Sequence, residues 1–106
     1  VRTLLKINKE LAPYQVAVLP LVKKFHNDKA EEVYDFLMKN FVASFDDAGN
    51  IGRRYRRQDA IGTPYCITID NDTLEDDTVT VRERDSMEQI RVKIADLKVY
   101  LNNQFE

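Results

Sequence analysis

Four arginines and one tyrosine occupy the five positions from Arg53 to Arg57. Guanidinium groups bind phosphate oxygens through paired hydrogen bonds and also stack on bases. On a helix with 3.6 residues per turn, Arg53, Arg56 and Arg57 fall on one side, with Tyr55 roughly opposite. Because so many charges resist burial, we expect all four arginines on the surface. This surface either binds phosphates or is an ordinary solvated face paired with the acidic segment 70–77.

A second polar pattern follows one face of a predicted strand. Thr80, Arg82 and Arg84 alternate with apolar residues, and Cys66 and Thr68 are expected on the same face of the neighbouring strand. A sheet face of hydroxyls and arginines suits the reading of unpaired bases, the usual mode of sequence-specific RNA recognition. An ordinary solvent-facing sheet surface is the alternative.

The sequence contains no recognisable group of residues for covalent catalysis. His26 is the only histidine and has no nucleophile at a recognisable spacing, so we expect it on the surface. Cys66 lies inside a predicted strand and is expected to be a core or half-buried residue rather than a nucleophile. The acidic segment 70–77 lacks the central glycine and closing glutamate of a calcium loop. We therefore predict no catalytic residue and no metal ligand, and an independent enzyme is not indicated.

The amino-acid composition limits the classes of protein to which this chain can belong. The 106 residues are 43% hydrophobic and 32% charged, as expected for one folded domain rather than a disordered chain. Sixteen basic and eighteen acidic residues give a net charge of −2, so any nucleic-acid site must come from local clustering. A single cysteine and the absence of a signal peptide or membrane-spanning pattern predict a cytoplasmic protein.

Hydrophobic periodicity predicts a mixed sheet packed by helices, an α/β fold. Residues 1–11 are interpreted as a linker, with a disordered terminus as the alternative, and residues 12–106 as the domain. We expect Asn27 or Asp28 to cap the first helix. The predicted strands are 14–19, 42–45, 65–70, 78–84 and 89–92, the predicted helices are 28–41, 51–60 and 94–105, and 71–77 is predicted to be a loop.

Three stretches carry a resemblance to a known family. DDAGNIGRRY at 46–55 and QDAIGTPYC at 58–66 resemble the anticodon-binding domain shared by glycyl-, histidyl-, threonyl- and prolyl-tRNA synthetases, which are class II enzymes. DNDTLEDDTVTVRERDSMEQIRV at 70–92 most closely resembles this domain in bacterial-type glycyl-tRNA synthetases. The resemblance extends over nearly the whole chain from about Leu11.

The resemblance implies a five-stranded mixed sheet flanked by three helices that binds the anticodon stem-loop of tRNA(Gly). The parent enzyme would then attach glycine to that tRNA in an ATP-dependent reaction. By motif position, the resemblance places RNA contacts on Arg53, Arg56 and Arg82. Asn50, Asp72 and Thr73 are further candidates that it indicates.

The resemblance also implies what lies elsewhere in the parent. The catalytic domain, with its ATP and Mg²⁺ sites and the homodimer interface, is expected upstream, and residues 1–11 would then be its remnant. We therefore expect no cofactor in this domain and no aminoacylation by the chain alone. The alternative is a homologous accessory module, in which the Arg53–Arg57 segment docks an acidic protein or the upstream domain.

Overall fold

The computed structural model describes residues 14–105, and within this range the chain forms five strands and four helices. The predicted linker 1–11 and the domain boundary at residue 12 lie outside the described residues. The elements in chain order are β1 (Val16–Pro20), α1 (Lys23–Met38), β2 (Ala43–Phe45), α2 (Ile51–Ile61), β3 (Tyr65–Ile69), α3 (Asn71–Asp76), β4 (Thr78–Glu83), β5 (Gln89–Lys93) and α4 (Ile94–Phe105).

The five strands form one mixed sheet in the order β2-β1-β3-β4-β5. β1 pairs in parallel with β2 and β3, whereas β3, β4 and β5 form an antiparallel meander. The three parallel strands are joined through α1 and α2, as parallel connections require. The mixed five-stranded sheet is confirmed.

The two faces of the sheet differ in character. On one face, alternate residues of β1, β3 and β4 pack against α1 and α4 to form the main core. On the opposite face, Ala17, Leu19 and Cys66 lie beneath Ile51 and Tyr55 of α2. α2 packs on β1 and covers Cys66 of β3, and the polar face of β4 and β5 lies beside this helix.

The start of α1 differs from the prediction. The helix begins at Lys23, after Val22 in extended geometry, so neither Asn27 nor Asp28 caps it. The Val22 N–H instead donates to Nδ1 of His26 (3.0 Å). His26 is buried, and its Nε2–H donates to Oδ1 of Asn71 (2.8 Å). The expectation of a surface histidine is therefore wrong, because the imidazole satisfies the helix start and joins it to α3.

The predicted loop 71–77 is wrong, since α3 occupies most of it. Asp70 accepts a hydrogen bond from the Thr73 N–H (3.1 Å), and the Thr73 hydroxyl accepts one from the Asp70 N–H (3.1 Å). These reciprocal bonds form a capping box. Asp77, in the left-handed region with φ of 56°, ends the helix. The fold thus has a fourth, short helix beyond the three expected.

Candidate nucleic-acid interface

The position of α2 is set by residues at its two ends. Oδ1 of Asn50 accepts a hydrogen bond from the Arg53 N–H (2.9 Å), which satisfies one of the helix's unpaired amides. Gly62 ends the helix with φ of 86°, a conformation that glycine adopts at little steric cost. Asn50 is exposed, and its cap leaves its Nδ2 group available for a ligand.

Arg54 belongs to the interior, so the expectation that all four arginines are exposed is wrong. Its side chain is buried, with Nη2 donating to the Gly49 carbonyl (2.6 Å) and Nε to the Ala48 carbonyl (3.4 Å). Nη1 donates to the carbonyl of Pro20. Arg54 therefore fastens the turn before α2 to the end of β1.

Arg57 is partly neutralised by a buried acid. Its guanidinium pairs with Asp46, which also accepts a hydrogen bond from Nε2 of Gln58 (3.0 Å). Burial of Asp46 favours its neutral form, but the hydrogen bonds from Gln58 and Arg57 outweigh burial and lower its pKa. Asp46 therefore remains ionised at neutral pH and holds Arg57 against the turn.

Arg53 and Arg56 are the two arginines of this segment that face solvent with their charges uncompensated. Both are exposed, and no acidic side chain within residues 14–105 pairs with either. They lie one helical turn apart on α2 and so present neighbouring guanidinium groups. Such a pair attracts anions through charge and fork-shaped hydrogen bonding.

Arg82 of β4 is held against α2. Its Nη1 and Nη2 donate to the two carboxylate oxygens of Asp59 (3.0 and 3.2 Å), and its guanidinium lies 4.8 Å from the ring centre of Tyr55. The hydrogen bond to Asp59 raises the pKa of Arg82 despite its burial. Since Asp59 follows Arg56 by one turn, Arg82 and Arg56 belong to one region of the surface.

Arg91 of β5 extends this surface across the sheet. Nη1 donates to Oγ1 of Thr78 (2.8 Å), and Nη2 donates to Oδ2 of Asp70 (2.6 Å) and Oγ1 of Thr80 (3.3 Å). Arg91 was not among the site residues predicted from the sequence. The alternation of β5, which places Arg91 opposite Thr80 of β4, could have indicated it.

The two candidates on α3 are placed differently. Asp72 is exposed, and its carboxylate lies 3.6 Å from Nη2 of Arg91, which places it beside the sheet face. Thr73 is fully buried, and its hydroxyl serves the capping box with Asp70. The structure thus brings Asp72 to the surface that holds Arg91, whereas Thr73 acts on the position of α3.

Most of the predicted polar face is buried, since Cys66, Thr68, Arg82 and Arg84 are each at most 9% exposed and only Thr80 is half-buried. Arg84 is buried beyond the end of β4, and its Nη2 donates to Oδ1 of Asp85 (3.1 Å). Cys66 is buried under α2, as expected, and burial raises the pKa of its thiol to about 12. A thiol with this pKa is protonated at neutral pH and is no nucleophile.

Together these residues form one basic surface, which we call the arginine surface: Arg53, Arg56, Arg82 and Arg91, with Tyr55 and Thr80 between them. It lies over the outer side of α2 and the polar face of β4 and β5. Within residues 14–105, no three His, Cys, Asp or Glu side chains converge in a metal-binding group. In the same range, no helix is both long and apolar enough to cross a bilayer.

The sequence of this chain matches the "Anticodon binding domain" family model over residues 15–104. The chain belongs to this family. It is 56% identical over all of its 106 residues to a glycine–tRNA ligase of Ruminiclostridium cellulolyticum, and 62% identical over 96 residues to one of Malacoplasma penetrans. These matches cover 23% and 21% of the two ligases. The chain thus spans less than a quarter of the length of these relatives.

Solved structures show the same architecture. The RNA-binding domain of threonyl-tRNA synthetase from Cryptosporidium parvum superposes with a TM-score of 0.83 at 26% identity, covering 95% of this chain and 26% of the other. A prolyl-tRNA synthetase from the same organism gives a TM-score of 0.84 at 22% identity, over 93% of this chain and 22% of the other. The family resemblance seen in the sequence is confirmed.

Proposed function

We propose that this chain is the anticodon-binding domain of a glycyl-tRNA synthetase and binds the anticodon stem-loop of tRNA(Gly). Relatives named glycine–tRNA ligase match it at 54–62% identity, and the family model names anticodon binding. The observation that carries the proposal is the pair of exposed arginines, Arg53 and Arg56, beside the Arg82–Asp59 ion pair.

Binding on this surface is non-covalent. Arg53 and Arg56 neutralise backbone phosphates, because their guanidinium groups face solvent without acidic partners. Arg82 has N–H groups beyond those bound to Asp59, and Tyr55 supports it from below. Because Asp59 and Tyr55 fix its position, Arg82 hydrogen-bonds the edge of a base rather than a phosphate of the RNA backbone. Asn50 contributes its Nδ2 group, while Asp72 offers a carboxylate that accepts from base amines.

Thr73 supports the site indirectly. Its hydroxyl and amide hold Asp70 at the start of α3, and Asp70 in turn binds Arg91. Burial of Asp70 favours its neutral form, but its hydrogen bonds from Arg91 and Thr73 prevail and lower its pKa. Asp70 is therefore ionised at neutral pH and keeps Arg91 in place at the edge of the surface.

The remainder of a synthetase would supply the chemistry. The glycine–tRNA ligases that this chain resembles are more than four times its length, which leaves room for a catalytic domain. On this proposal ATP, Mg²⁺ and glycine act in that domain, the homodimer forms through it, and the full enzyme works in the cytoplasm. The present domain adds affinity for the correct tRNA and positions its acceptor end.

Titration of the isotope-labelled chain with the tRNA(Gly) anticodon stem-loop tests this function. We expect the largest amide shifts at Arg53, Arg56 and Arg82, and smaller shifts for a stem-loop whose anticodon bases are replaced. Arg53→Gln and Arg56→Gln together should weaken binding, whereas Lys39→Gln, an exposed charge after α1, should not. Absence of shifts at high RNA concentration would contradict RNA binding and favour the protein-docking alternative.

A further inference from the structure

An exposed apolar patch lies where the chain leaves β1. Leu21, Val22 and Phe25 are 40%, 43% and 63% exposed, and they lie close together in the chain, with the Phe25 N–H donating to the Val22 carbonyl (3.0 Å). We call these three residues the apolar shelf. Isolated exposed apolar residues are common on protein surfaces, but a contiguous group that includes a largely exposed aromatic ring marks a contact site.

The apolar shelf adjoins the arginine surface. Arg54 donates both to the carbonyl of Pro20, just before the shelf, and to the carbonyl of Gly49, just before α2. A Cβ placed on Gly49 would lie 3.6 Å from Cδ of Arg53, so the Arg53 side chain passes over this turn. Only the turn before α2 therefore separates the shelf from Arg53.

Two lysines border the shelf on α1. Lys23 and Lys24 occupy the first turn of α1, which contains no acidic residue, and Nζ of Lys24 lies 5.6 Å from the centre of the Phe25 ring. Lys23 also reaches Asp47 of the turn (3.4 Å). An apolar protein segment docking here would have to bury part of these charges at a cost. A ligand with a flat aromatic group attached to an anion can contact the apolar side chains and the lysines at the same time.

The shelf is held in place from beneath. The Leu21 N–H donates to the Ile69 carbonyl (2.8 Å), which fixes the exit from β1 against β3. The buried imidazole of His26 links Val22 to Asn71, and its ring meets that of Phe25 edge-on with 6.4 Å between centres. Phe25 thus presents its ring from a fixed backbone, and little ordering cost accompanies the binding of a ligand.

We propose that Phe25, flanked by Leu21 and Val22, is a stacking platform for an unpaired base of the RNA that binds the arginine surface. This proposal rests on the proposed function, because it assumes that RNA binds there. Stacking on an aromatic ring contributes substantially to single-strand binding and tolerates any base. The platform therefore adds affinity, whereas base discrimination stays with Arg82.

The test compares Phe25→Ser, Phe25→Trp and Met38→Ser in the 106-residue chain. Met38 is the matched control, since it is 50% exposed at the far end of the same helix. Binding of the tRNA(Gly) anticodon stem-loop is measured over a range of salt concentrations. We expect Phe25→Ser to raise Kd about 5- to 100-fold, and Phe25→Trp and Met38→Ser to leave it nearly unchanged.

The salt dependence separates stacking from charge. Phe25→Ser should leave the log–log slope unchanged, whereas Arg53→Gln with Arg56→Gln should reduce its magnitude by about 0.7 for each phosphate that is no longer neutralised. In addition, the fluorescence of 2-aminopurine placed in the RNA loop should be quenched when the RNA binds to the unaltered chain or to Phe25→Trp. Phe25→Ser should abolish the quenching of the base that stacks on residue 25.

Two failures are distinguishable. If the arginine variants weaken binding and Phe25→Ser does not, the stacking platform is refuted while the proposed function stands. If the unaltered chain does not bind the stem-loop, the proposed function itself fails, and if binding is unaffected by either set of variants, both the arginine surface and the platform are refuted as the binding site. A Phe25→Ser effect that Met38→Ser reproduces, or a change of slope equal to that of one neutralised phosphate, would also overturn the platform.

Discussion

The four neighbouring arginines occupy three different environments. Arg53 and Arg56 face solvent, Arg57 pairs with buried Asp46, and Arg54 donates to three backbone carbonyls in the interior. Helical spacing predicted the outward direction of Arg53 and Arg56. The burial of Arg54 was not predictable from spacing alone, because it depends on unpaired carbonyls that only the folded chain brings together.

If Arg82 reads a base, replacing it should reduce discrimination between anticodon loops without a general loss of RNA binding. Arg82→Lys keeps the charge but removes the fork that Asp59 orients. The preference for the glycine anticodon loop over a loop with replaced bases should fall about tenfold, or about 1.4 kcal/mol.

The matched variant is Asp59→Asn, which keeps Arg82 but weakens its orientation, and it should show a smaller loss of preference in the same binding assay. Equal losses of affinity for both loops in Arg82→Lys would show that Arg82 contacts only phosphate. Unfolding curves of both variants establish that the comparison is between folded proteins.

A helix with common capping residues at both ends was predictable from the sequence, whereas helices with unusual caps were not. α2 has Asn50 at its start and Gly62 at its end, so its prediction nearly matches the observed Ile51–Ile61. The start of α1 is not predictable from a common capping residue, because the amide of Val22, just before the helix, is bound by the imidazole of His26. α3 was missed because its capping box uses Thr73 where glutamate or glutamine is usual.

Removing the cap of α3 should destabilise this short helix. Asp70→Ala deletes the acceptor of the Thr73 amide and the partner of Arg91, and we expect a loss of about 0.5–2 kcal/mol in the free energy of unfolding. Asp72→Ala, an exposed change on the same helix, should cost less. Urea unfolding measures both, and amide exchange should speed up in α3 for Asp70→Ala. Equal stability of the two variants would contradict the capping role.

At the scale of the whole molecule, the distribution of charge matters more than its sum. The net charge of −2 gives no indication of a nucleic-acid partner, yet the described residues segregate exposed arginines onto one side. Local periodicity predicted the strands and the mixed sheet. The order β2-β1-β3-β4-β5 was not specified by periodicity, since it depends on which strands meet after the helical connections are made.

Two aspartates that hold arginines in place, Asp46 and Asp70, predict instability of the fold in acid. The pKa values of Asp46 and Asp70 are lowered in the folded chain, so their contribution to stability is present above the ordinary aspartate pKa of about 4. It is lost as the pH falls through their folded values, because protonation breaks their bonds to Arg57 and Arg91. The urea midpoint should therefore be lower at pH 3 than at pH 6.

Asp46→Asn should lower the midpoint at pH 6 and reduce the difference between the two pH values. Asp35→Asn, at an exposed position on α1, serves as the control and should change the midpoint little at either pH. An Asp46→Asn chain with an unaltered pH dependence would show that other acids govern the acid sensitivity.

The burial of Cys66 beneath α2 allows a fluorophore to be attached selectively to a second cysteine introduced on the surface. The sequence has one cysteine, and burial with a pKa of about 12 keeps that thiol out of reach of maleimides at neutral pH. A second cysteine introduced by Ala60→Cys, one turn beyond Arg56 on the exposed side of α2, would accept a fluorophore selectively. Such a dye would report RNA docking without replacement of the native thiol.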